Sequence, residues 1–122
     1  MVTVMPIKKI AEDERGSTHF FDTDRTGQFV IGYRKSGTHN AKHYHKGLAK
    51  NKNPEIIIIM QGEVTVHWYD VRNVAIKGTC KVIAPAMVTI QAWAWHEVIA
   101  DTDIIVLELN TLIDGKEDSF RI

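Results

Sequence analysis

Apolar residues in this chain seldom recur at the three- and four-residue spacing of a helix over two turns. They come instead in short β-branched and aromatic runs separated by turn residues. These runs predict strands at Gln28–Arg34, Ala41–His45, Glu55–Met60, Glu63–Asp70, Lys81–Ala84, Val88–Gln91, Trp95–Ala100 and Ile104–Asn110. Turn signals fall at Thr26-Gly27, Ser36-Gly37, Asn53-Pro54, Gln61-Gly62, Lys77-Gly78 and Asp101-Thr102-Asp103. Gln61-Gly62 joins two strong strands and reads as a tight hairpin in which glycine supplies the positive φ. Short strands at this spacing predict an antiparallel all-β sandwich or barrel. The stretch from Glu12 to Asp24 holds five acids with Arg15 as its only base, and reads as a loop plus a short strand. From Asp114 the tail is polar and closes on Phe120 and Ile122, which either fray or pack against the barrel or a partner subunit.

Composition narrows the class. A length of 122 residues suits one domain over residues 1–122, with the barrel core at about 28–110. Fifteen basic residues balance fifteen acidic ones, so no global field draws the chain to nucleic acid or an anionic membrane. The longest uninterrupted apolar run, Ile56 to Met60, is far short of the ~20 residues of a membrane helix. Cys80 has no internal partner, which favours a reducing compartment, and the opening residues carry no signal-peptide run. The expectation is a cytoplasmic protein.

Candidate chemistry centres on histidine. Of the six, His43 and His45 stand two apart on a predicted strand and leave the same face. Glu55 shares a strand face with Ile57 and Ile59, so it points inward if that face is the core. A buried carboxylate needs a cation or hydrogen bonds to meet it. His96 lies on a later strand with Val98 and Ala100 on its face. Three imidazoles and a carboxylate make a site for a divalent transition metal such as Mn, Fe, Co, Ni or Zn.

Gly37, five residues, His43-Tyr44-His45, then Glu55, six residues and Gly62 together resemble the first sequence motif of the cupins. The resemblance implies a small jelly-roll barrel with His43, His45 and Glu55 lining its interior, and makes His96 the candidate from the family's second motif. Nine residues separate His45 from Glu55 where the family usually has three or four, and Trp93 stands at the place expected for glycine. Asp13-Glu14-Arg15-Gly16 together with Lys42-His43-Tyr44-His45 is similar to the cupins related to sugar-nucleotide epimerases. That similarity implies a pocket histidine acting as base beside a tyrosine acid, with no metal needed. Tyr44 alternates away from the histidines, and Tyr33 and Tyr69 are the other candidates.

Glu108 shares a face with Ile104 and Val106, while Ile105, Leu107 and Leu109 form the other. If the first face is interior, Glu108 is a proton-transfer candidate; otherwise it ends its strand in solvent. Arg34, Lys35, Lys42, Lys46, Lys50 and Lys52 form a stretch with no acid, either a solvated basic loop or a positive rim for an anionic ligand. Trp93 and Trp95 share a face opposite Ala94 and His96, where they pack in a core or interface or stack on a sugar ring. His19, His39 and His67 read as surface residues.

The reading is a metal-binding, isomerase- or epimerase-type cupin taking a small carbohydrate-like or anionic substrate, which could be a sugar or sugar nucleotide. His43, His45, Glu55 and His96 would hold the metal, and His43, His96 and Glu108 are the catalytic candidates. The alternative is a non-catalytic binding or sensing module. Edge strands of such a barrel favour a homodimer.

Overall fold

A computed structural model describes all residues from Met1 to Ile122. Eleven strands and one short helix follow one another: β1 (Val2–Pro6), β2 (Lys8–Asp13), β3 (Gly16–Phe20), β4 (Val30–Arg34), β5 (His39–His43), β6 (Glu55–Gln61), β7 (Glu63–Asp70), β8 (Asn73–Ile83), β9 (Ala86–Ile90), β10 (Ala94–Ala100), β11 (Ile104–Glu108) and α1 (Leu112–Glu117). A five-stranded sheet runs β1-β9-β6-β11-β4 and faces a four-stranded sheet ordered β5-β10-β7-β8, all pairs antiparallel. This is the antiparallel all-β architecture expected from the strand pattern, in the jelly-roll form that the cupin resemblance implied.

Alternation sets the core. Ile57, Ile59, Val64, Val66, Val82, Val88, Ile90 and Val98 point between the sheets and exclude water there. Each such side chain contributes roughly 1.5–3 kcal/mol on full burial. The packed half lies under β7, β8 and β9, whereas the half between the facing edges β4 and β5 stays open as a cavity. Gly62 takes φ +91° at the β6–β7 turn, and a Cβ there would meet the Asp103 carbonyl oxygen at 2.3 Å, so only glycine fits.

Several boundaries differ from the pattern. Lys77-Gly78 is no turn: both residues lie inside the long β8, where the Trp68 ring passes 2.8 Å from the place a Cβ would take on Gly78. Glycine serves close approach there, and the chain reverses at Val71-Arg72 instead. β1 adds an edge strand to the larger sheet, and Glu12–Asp24 contributes to an exposed β2–β3 hairpin rather than a loop with one strand. The tail forms α1, opened by a capping box between Thr111 and Asp114, which satisfies the first turn's free N–H groups. Phe120 then pairs with Tyr44, while Ile122 stays exposed. No helix is long and apolar enough to cross a membrane.

Candidate metal and substrate site

His43 ends β5, one residue after a bulge. Ala41 and Lys42 both sit in the left-handed region (φ 68° and 58°), and the β5–β10 register slips between His96 and Glu97. A bulge re-aims the side chain that follows it, and His43 turns into the barrel mouth. His45 lies beyond the strand end, anchored by its carbonyl oxygen accepting from the Trp93 N–H at 2.7 Å. Trp93 holds φ 72° at the position expected for glycine, and its ring is gripped by Tyr44 stacked 5.9 Å away and by Arg72. His96 comes from the middle of β10 and Glu55 opens β6. Ring centroids of His43, His45 and His96 are 4.7–5.2 Å apart.

The donors of His43, His45, Glu55 and His96 lie within 4.8 Å of one another, so the four residues singled out from sequence converge. His45 Nδ1 lies 2.5 Å from the Asp118 carbonyl oxygen and His96 Nδ1 lies 2.9 Å from that of Ala94. A carbonyl oxygen only accepts, so both Nδ1 atoms carry the proton and donate. Both Nε2 atoms therefore face Glu55, at 3.2 Å (His45) and 3.4 Å (His96), buried and without a hydrogen-bond partner. Backbone acceptors that hold a ring this way are the usual outer support of a ligating histidine. With metal–ligand distances of about 2.1 Å, donors no more than 4.8 Å apart are within reach of one ion after a small contraction. The residues fit a divalent transition metal.

In the sequence Lys52 is one cation of a basic stretch; in the structure it is buried beside the site with its ammonium on Glu55 Oε2. The residues that lengthen the His45–Glu55 loop beyond the family's spacing carry it there. Burial pushes the Glu55 carboxyl up, while the Lys52 ammonium on its Oε2 pulls it down and favours the ionised form. Burial, reinforced by His96 and His45, lowers the His43 pKa to about 3. A neutral ring is the form that ligates or accepts a proton.

Glu108 faces this cavity with Ile104 and Val106, which settles the strand-face alternative in favour of the interior. Burial first, and the Glu55 charge second, raise its carboxyl above the ordinary value. The cavity of about 220 Å³ opens between β4 and β5, with Arg34 and Arg121 at its lining. No tyrosine lines it: Tyr33 is exposed on the outer face, Tyr69 stacks on Trp95 and Tyr44 on Trp93. The histidine–tyrosine pair implied by the epimerase similarity is therefore absent from this chamber. Asp13-Glu14-Arg15-Gly16 is the exposed turn of the β2–β3 hairpin, where Arg15 pairs with Asp13. His39 is exposed and His67 and His19 half-buried, all outside the cluster. Asp118 and Arg121 had no signal in their spacing; the tertiary path of the tail alone brings them to the site.

No family model matches the chain, and no curated protein matches it in sequence. Solved structures do match in shape. The dTDP-4-dehydrorhamnose 3,5-epimerase of Sulfolobus tokodaii superposes with a TM-score of 0.74 at 17% identity, over 99% of this chain and 76% of that one. A 3,4-ketoisomerase from Helicobacter canadensis gives 0.74 at 18% identity, over 99% and 90% of the two chains. A sugar 3,4-ketoisomerase from Thermoanaerobacterium thermosaccharolyticum, in complex with TDP, gives 0.72 at 15%, over 99% and 88%. At such identities the likeness is one of fold. The chain thus has the cupin jelly-roll fold, in the form shared by dTDP-sugar 3,5-epimerases and 3,4-ketoisomerases.

Proposed function

We propose that this protein is an isomerase- or epimerase-type enzyme for a small carbohydrate-like or anionic substrate, with a divalent transition metal held by His43, His45, Glu55 and His96. The observation that carries the reading is the pair of orphaned, buried Nε2 atoms aimed with a carboxylate at one point. A bound divalent ion would supply Lewis-acid polarisation of a substrate oxygen, which acidifies the neighbouring C–H. The chain's own groups do the rest. His45 and His96 are locked in one tautomer by carbonyl acceptors, so neither needs to reorient. Glu108, across the cavity, is placed to move a proton at its carboxyl oxygen, and its raised pKa suits acid–base work nearer neutrality. In a metal-free version of the same reaction, His43 or His96 would be the base. Fold neighbours named for keto-sugar isomerisation support a sugar-like substrate.

One observation favours a second reading. Lys52 already neutralises Glu55, so the buried charges are partly balanced without an ion, as a non-catalytic binding or sensing module would require. We also propose a homodimer, formed through the apolar outer face of the larger sheet and the exposed β2–β3 hairpin.

Elemental analysis of protein purified without added metal or chelating resin, beside the His43→Ala/His45→Ala variant, tests occupancy. Near-stoichiometric metal in wild type, lost in the variant, is expected; metal-free wild type sinks the metal-centred reaction. Incubation with sugar nucleotides and keto sugars in deuterated water separates the remaining two. Isotope uptake at an acidic carbon marks the isomerase, and saturable binding without exchange marks the module.

A further inference from the structure

The two sheet edges that frame the cavity each present an arginine. Arg34 ends β4, the outermost strand of the larger sheet. Arg121 follows α1 and lies along β5, the outermost strand of the smaller sheet, donating to the carbonyl oxygens of Ala41 and Lys42 at 3.2 and 3.3 Å. The β5 bulge, with its consecutive left-handed residues, is the segment that presents those two carbonyls. Arg34 in turn donates to its neighbour's carbonyl, that of Tyr33, at 3.0 Å. Neither guanidinium has a carboxylate within ion-pair distance, although Glu55 and Glu108 line the same cavity. Main-chain carbonyls orient these forks without neutralising them.

Glu55 is already matched by Lys52. Two arginines therefore stand against the single remaining acid, Glu108, and a metal ion would add further positive charge. A chamber of about 220 Å³ is smaller than the ~300–1,000 Å³ that encloses a drug-sized ligand. A planar fork matches a carboxylate through two parallel hydrogen bonds.

We propose that the substrate is a small oxygenated carboxylic acid, of sugar-acid or hydroxy-acid size. Its carboxylate is held across the mouth between Arg34 and Arg121, and its carbon chain points at the His43–His96–Glu108 end. This rests on the enzymatic reading above and narrows its substrate class. Arg121, delivered by the tail, is then a specificity-determining residue.

Isothermal titration of the purified protein with matched probes tests it: glucuronate against glucose, galactonate against galactitol, and lactate against lactamide, with inorganic phosphate and TDP as further arms. Each acid is expected to bind at least tenfold tighter than its neutral partner. Arg121→Gln and Arg34→Gln, checked for an unchanged melting temperature, should each erase most of that preference. Arg34→Gln, on the opposite edge, keeps the test sound if the tail variant fails to fold. Acids binding no better than neutral partners, or phosphate or TDP outbinding every carboxylate, overturns the proposal. Metal content is assayed in the same samples. Metal present without acid preference removes this inference alone; acid preference without metal removes only the metal-centred reaction.

Discussion

An ammonium held at 4% exposure against a carboxylate at 3% is a costly arrangement unless each satisfies the other. Lys52 and Glu55 do so, and the pair sits where a cation would be held. Removing the ammonium should therefore have opposite effects with and without metal. Lys52→Met is expected to lower the stability of the metal-stripped protein by about 3 kcal/mol, because a buried carboxylate loses its partner. The same change should tighten binding of Zn²⁺ or Co²⁺, since a competing charge is gone; denaturant unfolding and calorimetric titration read the two effects. Glu108 gives a pH test. Its folded pKa is raised above the ordinary 4.5, so its contribution is fully present below that pH and is lost as pH rises through the folded value. Glu108→Gln should thus be more stable than wild type near neutrality, with the gap closing as pH falls to about 4, a trend that urea midpoints across pH will show. A constant gap would place Glu108 in a solvated setting. The face of Glu108 was not decidable from β11 alone, because both of its faces carry branched apolar side chains.

Among the elements, the C-terminal segment carries more of the site than its polar composition suggests. Asp118 is fully buried: its carboxylate accepts from the N–H groups of Lys46 and Ala49 at 2.8 and 3.0 Å, and its carbonyl oxygen orients His45. One residue thus ties the tail, the long loop and a candidate ligand together. Asp118→Ala leaves two backbone donors unpaired and should cost about 2–4 kcal/mol of unfolding free energy. Asp118→Asn, keeping one acceptor, should recover roughly half. Metal retention after dialysis should follow the same order, which a purely structural cap on the loop would not produce. Strand alternation put His43 and His45 on one face, and they do converge, but through a bulge and a strand end rather than through a continuous pleat. Bulges and αL residues at Ala41 and Lys42 leave no mark in a hydrophobic pattern, since neither residue is a glycine. Three elements, β1, β2 and α1, escaped the pattern: β2 and α1 are largely exposed and carry little alternation, and β1 offers only Val2 and Val4 as inward positions.

For the molecule as a whole, the outer face of the larger sheet is unusually apolar. Met5, Met87, Ile58, Leu107 and Ile31 stand in register across all five strands. Ile58 and Met87 are covered by Ile7, while Met5 and Ile31 remain more than half exposed, with Met60 and Tyr33 beside them. The β2–β3 hairpin presents almost all of its residues to solvent, including Ile10 and Phe20. An isolated two-stranded hairpin is marginal in water, and a second copy of the chain would cover both surfaces at once. Sedimentation equilibrium should find a dimer, and Ile31→Lys with Met60→Lys should convert it to monomer without loss of the cavity residues. A monomeric wild type would leave the hairpin without cover and end the dimer proposal.

Strand alternation, the Gly62 turn and the candidacy of His43, His45, Glu55 and His96 were legible along the chain, because strand period, turn sterics and residue chemistry are local properties. The inward face of β11, the burial of Lys52 and the arrival of Asp118 and Arg121 at the cluster came only with the folded chain. Those depend on which distant segments come to lie together, and nothing in a residue's neighbours along the chain encodes the charge or carbonyl that will meet it across the barrel.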